Sequence, residues 1–226
     1  MLNIPKFDVM TLDTVDSTNS YLKRLSPKKN TLVVANEQTN GRGRQGKSFF
    51  SPKDTGIYMS VFLDIPPYPL LTPDIAVSVC DALDKISPER AKIKWVNDIF
   101  LNGKKVAGIL TERHENGVII GIGINISTAN FPDDIKNIAG SLNVNADKSA
   151  IIADIVNGLM SNKNRLDCYK KRLFFLGKEI TFIKDGISYT GTALDINEDG
   201  NLIVRTENET MTLISGEISL GSGRFV

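Results

Sequence analysis

Residues 91–127 read AKIKWVNDIFLNGKKVAGILTERHENGVIIGIGINIS. Asn102-Gly103 and Asn116-Gly117 each interrupt apolar sequence, and Asn-Gly between such runs is the strongest short-range signal for a hairpin turn. The stretch therefore reads as three consecutive strands. Strands joined by tight turns pair antiparallel. Lys94 falls between Ile93 and Trp95 on what should be a buried strand, where an ammonium is costly unless an anion meets it.

Working outward, FDVMTLDTV (7–15), TLVVAN (31–36) and IYMSVFLDI (57–65) read as strands. The last is apolar almost throughout, as a central strand is. Asp16-Ser17 marks a helix start, with a short amphipathic helix over 18–25. PPYPLLTP (66–73) is a connector in which Thr72 and Pro73 fit the N-cap and first helical position. Ile75, Val79, Leu83 and Ile86 then share one helix face. Ser149 starts another helix, with Ile151, Ile155 and Leu159 in line, and a further helical piece runs over 166–175. After Gly177 short strands alternate with turns at Asp185-Gly186, Asp199-Gly200 and Glu207-Asn208, a texture that fits a small barrel. The pattern divides the chain into residues 1–176 and 177–226.

Composition narrows the function. Lys plus Arg number 27 against 26 Asp plus Glu, a net charge of +1. That balance argues against a chain-wide nucleic-acid or membrane-surface binder. No apolar run approaches the roughly 18 residues of a spanning helix, and the start shows no signal peptide. Cys80 and Cys168 form no CxxC, which suits a reducing, cytoplasmic setting with both thiols free and buried. The single histidine, His114, reads as a solvated turn residue. It cannot supply a multi-histidine zinc site, no cysteine cluster replaces it, and nothing nearby resembles a nucleophile elbow, so no resident metal is expected.

The loop 37–56, EQTNGRGRQGKSFFSPKDTG, carries four glycines and four cations. Within it, GRGRQGKS (41–48) matches the P-loop pattern, but Pro52 and Gly56 stop the helix that a phosphate cradle needs. Glycine lets backbone approach an anion closely, and Arg42 and Arg44 each offer paired donors to phosphate or carboxylate. A solvated basic loop is the plain alternative.

The ordered motifs DSTN (16–19), EQTNGRGRQGKSF (37–49), KWVNDI (94–99), GKKVAGILTE (103–112), GIGIN (121–125) and GEISL (216–220) together resemble the bacterial biotin protein ligases, the biotin–[acetyl-CoA-carboxylase] ligases. The resemblance spans nearly the whole chain. It implies that biotin and ATP form biotinyl-5′-adenylate, and that a lysine of a biotin carboxyl carrier protein then takes the biotin and releases AMP. Magnesium would accompany ATP. Lipoate or octanoate ligases of the same superfamily, and a non-catalytic biotin or nucleotide sensor, are the competing readings. The implied fold is α+β: a mixed sheet with helices on one side, similar to class II aminoacyl-tRNA synthetases, followed by an SH3-like barrel.

By the same resemblance, Ser17, Thr18, Asn19 and Gln38 would meet the biotin head, although Ser17 and Thr18 also suit simple capping. Arg42, Gly43 and Arg44 would line the biotin carboxylate and the phosphates. Lys105, starting a strand with Ala107 and Ile109 on its face, would bridge the carboxylate and α-phosphate. Asp98 would serve the acceptor lysine, which attacks only when neutral. Phe49, Lys94, Asn97 and Asn125 would lie near the nucleotide. Gly108, Gly121 and Gly123 would leave room for biotin or merely let strands pack. Three positions depart from the family pattern: Phe49 stands for a frequent Trp, Val96 for the Pro of KWPND, and Gly221 for a frequent Arg that Arg224 could replace. Only about fifteen residues precede DSTN, so an operator-binding domain is not expected, and no DNA or membrane partner. Relatives often dimerise through sheet edges, which leaves a homodimer open. The glycine-rich loop, residues 40–54, is expected to be loose until ligand orders it.

Overall fold

The computed structural model describes residues 2, 4–161 and 164–220. Seven strands form the first sheet: β1 (Asp8–Val15), β2 (Thr31–Gln38), β3 (Gly56–Leu63), β4 (Lys92–Lys94), β5 (Asp98–Leu101), β6 (Lys104–His114) and β7 (Gly117–Asn125). Their order is β1-β2-β3-β7-β6-β5-β4. The β1–β2 pair is parallel and the other pairs are antiparallel, so the sheet is mixed.

Residues 91–127 hold four strands where three were expected. Trp95, Val96 and Asn97 reverse the chain between β4 and β5, so that Lys94 stands opposite Asp98. No glycine marks this reversal, because tertiary bonds hold it. Tyr169 Oη donates to Val96 O at 3.0 Å, and Trp95 Nε1 donates to Gly200 O at 3.0 Å. The Trp95–Val96 peptide is cis.

Alternation along the strands gives the sheet two different faces. Met59, Val61, Ile120, Ile122 and Ile124 pack in the main core with α2 (Leu71–Asp84) and α3 (Lys148–Ser161), through Ile75, Val79, Leu83, Ile151 and Ile155. The other face carries a small cluster of Val33, Phe62 and Ile119 under Leu22 of α1 (Thr18–Leu25). Helices therefore flank both faces rather than one. The placement of α1 matters because it brings the DSTN motif onto the face opposite the core.

Local signals behave as capping chemistry predicts, with exceptions. Ser17 is the N-cap of α1, its side chain accepting from Ser20 N. Thr72 does not cap α2. The helix starts at Leu71, and the Thr72 hydroxyl donates to Thr111 Oγ1 at 3.1 Å on β6. Helix α2 ends at Asp84, short of Ile86. Helix α3 starts one residue before Ser149, whose N–H is received by Asp147 Oδ1 at 2.8 Å. Helix α4 (Leu166–Arg172) stops early because Leu173 leaves it to bridge Ile93. It turns Tyr169 and Arg172 inward, which leaves Cys168 exposed; only Cys80 is buried as expected. His114 ends β6 half-buried, edge-on to Phe62 at 5.5 Å, rather than solvated.

The second sheet holds β8 (Glu179–Lys184), β9 (Ile187–Ile196), β10 (Leu202–Arg205), β11 (Thr210–Leu213) and β12 (Ile218–Leu220), all antiparallel in the order β11-β10-β9-β8-β12. Ile180, Phe182, Ala193, Ile196, Leu202 and Val204 are buried in it. Trp95 and the Lys170–Asp195 ion pair, at 2.8 Å, tie it to the first sheet and α4. Gly221 and Arg224 lie outside the described residues. No helix among the described residues is long and apolar enough to cross a membrane.

Candidate active site

A cleft of about 530 Å³ opens on the face of the sheet that carries α1. Its floor is a cross-strand row: Lys94 opposite Asp98, Asp98 opposite Gly108, and Gly108 opposite Gly123. Every site residue expected from the sequence lines this one cleft, from Ser17 on α1 to Asn125 at the end of β7.

One end is built from hydroxyls and amides. Gln38 Oε1 accepts from Thr18 N at 2.9 Å and from Thr18 Oγ1 at 3.1 Å, while its Nε2 donates to Ser51 Oγ at 2.9 Å. The buried Ser60 hydroxyl reaches Thr18 Oγ1 at 2.7 Å and donates to Asn19 Oδ1. These bonds fix the amide of each side chain in one orientation. Gly121 has no room for a Cβ because Asn19 Oδ1 occupies that space. At Gly123 a Cβ would meet the Phe49 ring at 2.5 Å, whereas at Gly108 it would touch Phe49 and Lys105 at an ordinary 3.5 Å. Gly121 and Gly123 thus seat protein side chains over the floor.

The other end is cationic. Lys105 was expected on the face of Ala107 and Ile109, but the register slips: Ile99 pairs with Ala107, and Phe100 with Lys105. Val106 is the extra residue of a bulge, and a bulge re-aims the neighbouring side chain. Ala107 and Ile109 face the core while Lys105 swings onto the floor beside Gly108. Its Nζ lies 2.8 Å from Asp98 Oδ1. The two form a close ion pair without an aligned hydrogen bond. Burial holds Lys94 below the ordinary lysine range; Asp98 opposes that shift and Lys105 adds to it. Asn97 accepts from Arg44 Nη1 at 3.1 Å and donates to Ile109 O at 2.8 Å. Asn125 donates to Gly140 O at 3.1 Å, leaving its buried Oδ1 without a partner.

The glycine-rich loop forms the roof. Gly43 N donates to Lys47 O at 2.7 Å and Phe49 N to Gly41 O at 2.9 Å, closing a small hairpin around a turn in which Gln45 and Gly46 have φ of 53° and 78°. The loop is tied down at three points. Arg42 meets Glu112 through two bonds of 3.1 and 3.0 Å, Arg44 meets Asn97, and Lys47 meets Glu217 at 2.7 Å.

Sequence reasoning missed a wall and an anchor. Residues 131–139 close the side of the cleft by pairing with Lys105: its N donates to Ile138 O at 2.8 Å, and its O accepts from Gly140 N at 2.9 Å. Phe131 packs near Phe50, with ring centroids 6.3 Å apart. A non-repetitive segment gives no periodic signal, and only its apolar Phe131, Ile135 and Ile138 hinted at packing. Glu112 sits in the quoted GKKVAGILTE motif, but nothing local marks its partners.

Residues 11–128 match the biotin/lipoate A/B protein ligase family, and residues 175–221 match the biotin protein ligase C-terminal domain. The chain is 33% identical to the bifunctional ligase/repressor BirA of Bacillus subtilis, over 93% of this chain and 72% of that protein. It is 26% identical to the biotin–[acetyl-CoA-carboxylase] ligase of Mycobacterium tuberculosis, over 83% of this chain and 77% of that one. The fold matches the biotin protein ligase of Aquifex aeolicus in complex with biotin and ATP with a TM-score of 0.84, at 29% identity and 95% and 98% coverage.

Proposed function

Because the chain belongs to the biotin/lipoate A/B protein ligase family, we infer that its cleft joins biotin to ATP and then to a carrier lysine. The protein is a biotin protein ligase. One observation carries this reading: a single cleft runs from an orientated hydroxyl–amide pocket to a cluster of lysines and arginines.

A urea ring offers two N–H donors and one carbonyl acceptor, which suits Ser17, Thr18, Asn19 and Gln38. The biotin carboxylate then points along the floor towards Lys105 and Arg44. In the first step a carboxylate oxygen bonds to the α-phosphorus of ATP while the bond to pyrophosphate breaks. Two anions meet there, and fixed cations offset their repulsion without reorganising. Lys105, Arg44 and Arg42 are placed for this, with Lys94 beneath the phosphates and Asn97, Asn125 and Phe49 beside the nucleotide. Magnesium is the ordinary companion of ATP, held mainly by phosphates and water.

In the second step the carrier's lysine nitrogen bonds to the biotinyl carbonyl carbon and the bond to AMP breaks. The amine must shed a proton, and the Asp98 carboxylate on the cleft floor suits it as the receiving group. The partner is thus a biotin-accepting carrier domain. The same reading divides the chain near residue 176, supported by two sheets that share no strand.

The test is biotin-dependent pyrophosphate release from ATP, with octanoate and lipoate in parallel. Release with biotin alone supports the reading. Release only with octanoate or lipoate moves the protein to the lipoyl branch, and biotin binding without release leaves a sensor.

A further inference from the structure

The Glu112 carboxylate, on β6, gathers donors from two separate elements, Asn19 and Lys23 of α1 and Arg42 of the glycine-rich loop. Oε1 accepts from Lys23 Nζ at 2.6 Å and Arg42 Nη2 at 3.0 Å; Oε2 accepts from Asn19 Nδ2 at 2.9 Å and Arg42 Nη1 at 3.1 Å. The side chain is only 16% exposed. Burial alone would raise its pKa, but the bonds from Lys23 and Asn19 and the charges of Arg42 and Lys23 outweigh that and lower it. It therefore stays charged at neutral pH.

Asn19 and Arg42 belong to opposite ends of the proposed biotin site, and they meet only here. Asn19 presents its amide at the head pocket. Arg42 presents from the loop a guanidinium that spends two of its five donors on Glu112 and keeps the rest for the cleft. A bidentate fork fixes the plane of a guanidinium as well as its place. The bond to Nδ2 likewise forces Asn19 Oδ1 towards Ser60.

We propose that Glu112 is a positioning residue that sets Asn19 and Arg42 together, so that the head pocket and the loop roof form as one unit. The proposal rests on the biotin reading above. Glu112 itself touches no substrate.

Calorimetric titration with biotin alone tests this. Glu112→Gln should bind biotin about tenfold more weakly or worse, as for a lost hydrogen bond to a charged group. Arg42→Lys should weaken binding too, but add little in the Gln background, because the carboxylate that orients the fork is already gone. Lys23→Ala should leave affinity within about twofold, since the Lys23 ammonium is itself 39% exposed and orients neither Asn19 nor Arg42. If the wild type binds no biotin, the functional reading fails. If the wild type binds and Glu112→Gln matches it, or if the two losses multiply in the double variant, this inference fails. Should Glu112→Gln not fold, the Asn19→Ala and Arg42→Lys cycle replaces it: coupled losses support the proposal and independent losses overturn it.

Discussion

Lys105 Nζ stands 2.8 Å from Asp98 Oδ1 across the β5–β6 pair, and the two side chains meet only because Val106 bulges out of the ladder. On the proposed reading, the pair puts the cation for the first step against the base for the second. Before ATP binds, each neutralises the other on a floor that is largely shielded from water.

Lys105→Ala should cut adenylate formation about a hundredfold, roughly 3 kcal/mol, by analogy with a lost oxyanion donor. Asp98→Asn should reduce transfer to the carrier more than it reduces adenylate formation. Pyrophosphate release and carrier labelling, measured separately, distinguish the two. Equal effects of both variants on both half-reactions would refute the division of roles.

Lys94→Met should change both nucleotide use and the pH dependence of stability. The buried ammonium is held below the ordinary lysine range, so the folded state binds fewer protons than the unfolded one between its lowered pKa and the ordinary lysine value of 10.5. The cost of keeping it charged is present in full below the lowered pKa and fades as pH rises towards the unfolded value. The stability of the variant relative to the parent should therefore fall as the pH is raised from neutral into alkaline buffer. Its KM for ATP should rise. Thermal melts across pH check the first part, and an advantage that grows with pH would contradict it.

The floor glycines should not be equivalent. Gly108→Ala has ordinary contact distances and should be tolerated, whereas Gly123→Ala would force the Phe49 ring off its seat and Gly121→Ala would push Asn19 away from Ser60. Gly121→Ala should weaken biotin binding about tenfold or more, and Gly123→Ala should act mainly on nucleotide use. Similar behaviour of all three would mean that the space above them is not specified.

Trp95→Phe removes the donor to Gly200 O and leaves that buried carbonyl unpaired. The expected loss is about 1–3 kcal/mol, read as a lower denaturation midpoint. No loss would show that the contact between the sheets does not depend on this bond.

Much of this architecture is legible from local pattern. The Asn-Gly turns, the Ser17 cap and the near-continuous apolar run of β3 are short-range effects, and each falls where the residues indicate. The site residues are readable because the motifs bring their chemistry along in the chain. What escapes is set by distant partners. The Trp95–Asn97 reversal is held by Tyr169 and Gly200, the wall over 131–139 by backbone bonds to Lys105, and the Thr72 hydroxyl is taken by Thr111. Glu112 is invisible for the same reason, since its donors lie 70 to 93 residues away. Cys168 is exposed against expectation, since a two-turn helix has too few positions to show which face is inward.

Trp95 is the chain's single tryptophan, and it lies 3% exposed between the two sheets, next in sequence to Lys94 on the cleft floor. The protein thus carries its own optical reporter. Emission from a seated indole is blue-shifted, and unseating the second sheet would expose it and shift the light to the red. Steady-state fluorescence can follow the docking of that sheet with no label attached and nothing added to the cleft.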